Sequence, residues 1–258
     1  MPSDRSDLLT LTGLSAHIGG QTVLQDIGFS LAAGECMAVV GGSGAGKSTL
    51  LRLILGLRKP AVPQCGHLRF AGREQALATA SAGKPDGIAY VPQSPAHGFD
   101  PLRRLRWQWK QLQRLLGGQG DSDAVMQALG LPPLHRAYPG QWSRGMQQRL
   151  LVAMALLEQP KLLILDEPTS ALDPLIAAQV LTEVHRVAQE RNIAVMMVTH
   201  DLALAARFAD QIAILNKGRL VESGPTQRVL ADPCCAYAAE LVAHRHWQRG
   251  STQETAAA

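Results

Sequence analysis

A chain of 258 residues, 46% apolar and 18% charged, has the composition of a folded globular protein, which excludes a disordered one. Its formal net charge of +4, with no dense block of Lys and Arg, excludes a nucleic-acid binder that works by bulk charge. The longest apolar run, Leu150 to Leu157, is eight residues. A membrane-spanning helix needs about 20, so no segment is expected to cross a bilayer.

In chain order, residues 8–32 alternate apolar and polar around Gly19-Gly20, which predicts an antiparallel hairpin or edge sheet. The start, Met1 to Asp7, lacks the basic and then apolar layout of a signal peptide, so a cytosolic location is expected. Met37 to Val40 is an apolar strand, and Thr49 to Leu55 reads as a helix running on to about Leu57. Cys65 to Gly72 is a short strand bounded by glycines, residues 73–87 read as a loop, and Ile88 to Val91 is a buried strand ending in Pro92-Gln93. From Pro95 to Leu157 the pattern is helical, with Trp107, Gln111 and Leu115 on one face. Lys161 to Leu165 returns to a continuous apolar strand, as in a parallel sheet covered on both faces. Asp173 as N-cap and Pro174 in the first turn open a helix whose buried stripe is Ile176, Val180, Val184 and Val187. Ile193 to Val198 is a further buried strand. Ile212 to Leu215 and Arg219 to Val221 form a late hairpin around Asn216-Lys217-Gly218. No internal repeat is present. Cys36, Cys65, Cys234 and Cys235 show no metal-ligand or disulfide-framework spacing. Cys36 reads as a small core residue, and the adjacent Cys234-Cys235 pair is poor geometry for a bridge, so a reducing compartment fits all four.

Gly41-Gly42-Ser43-Gly44-Ala45-Gly46-Lys47-Ser48 matches the G-x-x-x-x-G-K-[ST] phosphate loop in full, between a strand and a helix. Glycines let the backbone fold around a polyphosphate, so that amides and the helix N-terminus meet negative charge. Lys47 would reach the β- and γ-phosphates and the Ser48 hydroxyl would hold Mg²⁺. The alternative is a Gly-rich turn that fits by chance, but the strand before and the helix after favour binding of a nucleoside triphosphate. At Asp166-Glu167 two carboxylates end a buried strand, where open α/β sheets form their ligand crevice. Asp166 would hold Mg²⁺ and Glu167 would act as general base on the attacking water. Asp-Glu after a strand can also simply cap a helix. His200, following the strand 193–198, would contact the γ-phosphate and position the water, although a lone His is as often a surface residue.

Six elements in order make the chain similar to the nucleotide-binding subunit of ATP-binding cassette (ABC) transporters over roughly residues 8–245. The phosphate loop is 41–48, Gln93 matches the Q-loop glutamine, and Ser143-Arg144-Gly145-Met146-Gln147 matches the signature motif. Asp166-Glu167 matches the Walker B pair, Ser170-Ala171-Leu172-Asp173 the D-loop, and His200 the switch histidine. The resemblance implies an α/β fold: a P-loop NTPase core with a RecA-like mixed sheet, flanking helices and an N-terminal antiparallel β subdomain, plus an inserted α-helical subdomain. It implies one domain over 8–245, with the core at 8–92 and 158–245, the helical signature subdomain at about 93–157, and a disordered tail over 246–258. It also implies ATP and Mg²⁺ as cofactors. Gly41, Gly42, Ser43, Gly44, Ala45, Gly46, Lys47, Ser48 and Thr49 would bind nucleotide, together with Ser143 and Gly145 acting across a dimer. Ser48, Gln93 and Asp166 would hold Mg²⁺, and Glu167, His200 and Gln93 would be the catalytic groups.

Two departures from the family pattern stand out. The usual Leu-Ser-Gly-Gly-Gln signature is here Trp142-Ser143-Arg144-Gly145-Met146, so Arg144 adds bulk and charge and Met146 removes an amide. The N-terminal stretch Ala16-His17-Ile18-Gly19-Gly20 carries no aromatic to stack on adenine, so His17 or Ile18 would have to cover the base.

Tyr138-Pro139, Ser94-Pro95 with Phe99-Asp100-Pro101, and Pro233 to Leu241 resemble the oligopeptide, dipeptide and nickel importers, with the 140–146 stretch and short length closer to the nickel or metallophore member. That resemblance implies an ATPase on the cytoplasmic face of the inner membrane. Its partners would be two separate permease subunits, a periplasmic binding protein indirectly, and a second, different ATPase subunit, with a homodimer as the alternative. Nucleic acid is not an expected partner. Arg103, Arg104, Arg106, Lys110 and Arg114 with Trp107 and Trp109 lie where the family docks its permease; the same segment reads equally as a solvated helix with buried tryptophans. The rival functions are the ATPase of a soluble complex such as phosphonate degradation, a DNA- or ribosome-acting cassette, and a degenerate cassette that binds without hydrolysing.

Overall fold

A computed structural model describes residues 7–79, 83–117, 122–135, 137–170 and 172–244. The tail expected over 246–258, and Ala171 of the D-loop element, lie outside them. Strands in chain order are β1 (Asp7–Ile18), β2 (Gln21–Ala32), β3 (Cys36–Val40), β4 (Val62–Phe70), β5 (Arg73–Ala76), β6 (Ile88–Val91), β7 (Leu162–Asp166), β8 (Ala194–Thr199), β9 (Gln211–Asn216) and β10 (Arg219–Pro225). Helices are α1 (Lys47–Ile54), α2 (Leu105–Leu115), α3 (Ser122–Ala128), α4 (Arg144–Leu157), α5 (Pro174–Glu190), α6 (Leu202–Phe208), α7 (Thr226–Ala231) and α8 (Ala236–His244). The mixture of antiparallel and parallel sheet with helices is the expected α/β, P-loop NTPase architecture.

Two compact units divide the chain, Met1–Pro85 with Val198–Ala258, and Asp86–Met197. In the first, β1 and β2 form the expected antiparallel hairpin, and the sheet continues in the order β2-β1-β4-β5. Alternation does the work here: Leu9, Leu11, Leu14, Leu24, Ile27 and Leu31 are buried on the inner face. A separate group in this unit runs β10-β9-β3, with β3 parallel to β9. All five residues of β3 are buried, as a strand covered on both faces requires. Cys36 heads it, and burial followed by the nearby Asp210 and Glu35 carboxylates pushes its thiol up to about 12. It is a core residue, not a nucleophile.

Residues 73–76 form a strand rather than the loop their composition predicts. The cause is tertiary: Ala71 and Gly72 both take positive φ, 49° and 80°, and turn the chain back so that Leu68 pairs with Gln75.

In the second unit β8, β7 and β6 lie side by side, and β6 runs parallel to β7. The apolar run Leu150 to Leu157 is the heart of α4, buried at every position except Met154, and packs on β6, α2 and α3. In α2 the inward residues are Leu105 and Trp109, one turn apart, whereas Trp107 is 45% and Leu115 83% exposed. The face predicted from Trp107, Gln111 and Leu115 is therefore the outer one, and Arg103 covers the Trp107 ring at 4.9 Å. In α5, Val180, Val184 and Val187 are buried as predicted, joined by Ala177, Leu181 and Ala188, while Ile176 is only half-buried. No helix of the described residues is long and apolar enough to cross a membrane.

Candidate functional site

The first unit holds the phosphate loop, and its shape follows from glycine. Gly46 is the N-cap of α1 with φ 104°, a conformation that an L side chain rarely adopts, and a Cβ there would meet Leu24 Cδ2 at 2.8 Å. Gly41 lies against the Leu215 carbonyl so closely that any Cβ would overlap it. The loop is stitched to its surroundings by Ala45 N–H to Gly42 O at 3.2 Å and Gly218 N–H to Ala45 O at 2.9 Å. Lys47 Nζ donates to Gly41 O at 2.7 Å and Gly42 O at 3.0 Å, so its ammonium is folded over the mouth of the loop.

Above the loop is a concavity of about 450 Å³, lined by Thr22, Val23, Gly44 to Thr49, Lys217 and Gly218. That size suits a nucleotide. The start of α1 and two lysines, Lys47 and Lys217, line it, a constellation that attracts a polyphosphate. The residues beside the loop are Thr22 and Val23, not His17 or Ile18; His17 Nε2 lies 2.8 Å from Thr22 Oγ1. Thr22, Val23, Lys217 and Gly218 were not among the residues the sequence singled out for nucleotide. The Asn216-Lys217-Gly218 turn was legible as a turn, but its place next to residue 45 needs the β9 register.

Tyr237 is a second residue that sequence reasoning missed. It lies on α8, and its hydroxyl accepts the Gly42 N–H at 3.0 Å across 195 residues of sequence. Tyr237→Phe keeps the ring and removes this acceptor. A lost hydrogen bond of about 1 kcal/mol corresponds to roughly a fivefold rise in KM for ATP, with kcat unchanged because no reacting atom is touched. Steady-state kinetics check this; a fall in kcat at constant KM would refute the positioning role.

His200 also belongs to the first unit and is exposed in the junction between β8 and α6. Its flanks are fixed: Asp201 N–H donates to Thr199 Oγ1 at 2.9 Å, and Asp201 caps α6 by accepting from Ala203 and Leu204.

The second unit carries the paired carboxylates. Asp166 ends β7 almost fully buried, and its Oδ2 accepts the Tyr90 hydroxyl at 3.1 Å. Register explains the contact: Tyr90 pairs with Ile164, and Asp166 is two residues on, on the same face. Glu167 has φ 47°, a left-handed conformation that costs an L residue roughly 1–2 kcal/mol. Ser170 supports it, with backbone N–H and Oγ both donating to the Glu167 carbonyl at 3.1 and 3.0 Å.

Gln93 is exposed two residues after β6. The buried Gln148 of α4 donates to the Pro92 carbonyl at 3.3 Å and so anchors the turn that presents it. Ser143 is the N-cap of α4, accepting the Met146 N–H at 3.2 Å, and both Ser143 and Arg144 are exposed. The amide missing at Met146 has a neighbour in Gln147, whose Nε2 donates to the Trp142 carbonyl at 2.9 Å. Asp173 caps α5 through Ile176 N–H at 3.0 Å. Ser48 in the first unit, and Asp166 and Gln93 in the second, each carry a hard oxygen donor of the kind Mg²⁺ takes.

The family model described as ABC transporter matches residues 24–170. The oligopeptide transport ATP-binding protein OppD of Salmonella typhimurium is 34% identical over 239 residues, covering 87% of this chain and 70% of that protein. The sulfate/thiosulfate import ATP-binding protein CysA 2 of Chromobacterium violaceum is 34% identical over 255 residues, covering 95% of this chain and 66% of its own length. Among solved structures, one described as the ATP binding subunit of an ABC transporter superposes with a TM-score of 0.77 at 28% identity, covering 92% of this chain and 99% of that one.

Proposed function

This chain belongs to the ABC transporter family of ATP-binding proteins and is an ATPase of that family, and we propose that it powers a bacterial importer by hydrolysing MgATP at an interface with a second ATPase subunit. The observation that carries the reading is the phosphate concavity, lined by Lys47 and the first residues of α1, with the Lys47 ammonium held on the loop carbonyls. Gly41 to Thr49 bind the triphosphate, and Lys47 swings from its own loop carbonyls to the β- and γ-phosphates. Ser48, Gln93 and Asp166 are the residues that would hold Mg²⁺, which when bound neutralises charge on the phosphate oxygens. Glu167 takes a proton from water as the water oxygen bonds to the γ-phosphorus and the bond to the bridging oxygen breaks, leaving ADP and phosphate. His200 orients the γ-phosphate. Ser143 and Gly145, at the exposed start of α4, meet the partner's nucleotide, so ATP joins the two subunits and hydrolysis releases them.

The cargo is a di- or oligopeptide carried through two separate permease subunits at the cytoplasmic face of the membrane. Relatives named for oligopeptide or dipeptide transport recur at 30–34% identity, which supports peptide over the nickel or metallophore cargo that the 140–146 stretch suggests. Tagged wild type and Glu167→Gln, purified from native membranes, should retain two permeases, a second ATPase and a peptide-loaded binding protein by mass spectrometry. A metal-chelate binding protein in their place would overturn the peptide cargo. Recovery of lyase-type soluble enzymes alone would overturn transport.

A further inference from the structure

Glu222, Cys234 and Cys235 converge at the start of α8. One carboxylate oxygen and the two sulfurs all lie within 4.8 Å of one another. Adjacent side chains in an extended chain point to opposite sides. Here the bend after α7 turns both thiols toward the same buried carboxylate. Glu222 is 1% exposed at its side chain and is held by Arg228 Nη1 on Oε1 at 2.7 Å and by the Cys234 N–H on Oε2 at 2.9 Å. Cys235 Sγ accepts the Ala238 N–H at 3.4 Å, which fixes this sulfur at the start of α8.

We propose that Glu222, Cys234 and Cys235 form a binding site for one thiophilic divalent cation of the zinc type, separate from the nucleotide site. Two thiolates and a carboxylate, offset by the Arg228 guanidinium, leave two net negative charges, which match a divalent ion. A tetrahedral centre with metal–sulfur bonds of about 2.3 Å and a metal–oxygen bond of about 2.1 Å needs ligand atoms about 3.6–3.8 Å apart, so side-chain movements of roughly an ångström close the set. Cys234 is exposed, which leaves an entry path and room for water as the fourth ligand. On binding, the two thiol protons pass to solvent. The ion would tie β10 to α8 and so stabilise the corner that carries Tyr237.

The test uses the reduced full chain, stripped of metal and titrated with Co²⁺ as the spectroscopic probe and with Zn²⁺ in competition. One equivalent should bind with a near-ultraviolet sulfur-to-cobalt charge-transfer band, and Zn²⁺ should erase it. Cys234→Ser with Cys235→Ser should weaken binding about 100-fold and abolish the band, whereas Cys65→Ser should change neither. Binding through the histidines gives no sulfur band, so cobalt uptake without that band overturns the proposal. A band undiminished in the double variant overturns it as well. Cys234→Ser alone guards against misfolding: its metal-free melting temperature should equal wild type, and the rise that Zn²⁺ gives wild type should be absent.

Discussion

Glu167→Gln is expected to lower ATP hydrolysis by about 10²–10⁴-fold while leaving ATP binding intact, because it removes the base and keeps the shape of the side chain. The amide has the shape of the carboxylate, so the left-handed backbone at φ 47° and its support from Ser170 are retained. The variant should therefore unfold within about 0.5 kcal/mol of wild type. It should also bind nucleotide and stay joined to its partner subunit, since the step that releases them is blocked. A hydrolysis assay beside an ATP-binding titration and a sizing run in MgATP separates these effects. Hydrolysis within a few-fold of wild type would remove Glu167 as the base. Loss of ATP binding would mean that Glu167 acts on the ground state.

How far such a site could be read in advance depended on sequence distance. The phosphate loop is contiguous, and its strand and helix flank it directly, so eight neighbouring residues carried both fold and chemistry. Likewise β3 and β7 announced themselves by unbroken apolar runs, and Asp173 by the proline after it. Polar β5 was illegible, because Arg73-Glu74-Gln75-Ala76 becomes a strand only through pairing with β4. Trp107 and Trp109 are two apart in a helix, so periodicity alone could not say which faced inward; the burial of Leu105 one turn before Trp109 decides it. The supports of the site were further away. Tyr90 reaches Asp166 across 76 residues, Gln148 reaches Pro92 across 56, and Tyr237 reaches Gly42 across 195. Each depends on a register or a docked helix that no local pattern encodes. The convergence of Cys234 and Cys235 on Glu222 is of the same kind, since their spacing resembles no ligand motif until the bend after α7 is known.

Lys47→Ala should abolish measurable hydrolysis and weaken ATP binding by about 10–100-fold, the loss of one charge-assisted contact of roughly 1.5–3 kcal/mol. The ammonium is already placed: two loop carbonyls, Gly41 O and Gly42 O, hold it at 2.7 and 3.0 Å beside the α1 amides. Those carbonyls are weaker partners than phosphate oxygens carrying full charge, so the lysine transfers to nucleotide when it arrives. Its removal also frees the two carbonyls, and with them the tie that keeps the loop closed on itself. Lys47→Arg should not rescue hydrolysis, because the planar fork cannot occupy the space of a compact ammonium between two neighbouring carbonyls. Exposed Lys217 lines the same concavity and is the internal control. Lys217→Ala removes the same formal charge from a surface turn, where solvent screens it, and should cost only a few-fold in affinity. Calorimetric ATP titrations of the three variants decide the matter. If Lys47→Ala and Lys217→Ala weaken binding equally, general positive charge holds the nucleotide; if only Lys47→Ala does, the loop geometry does.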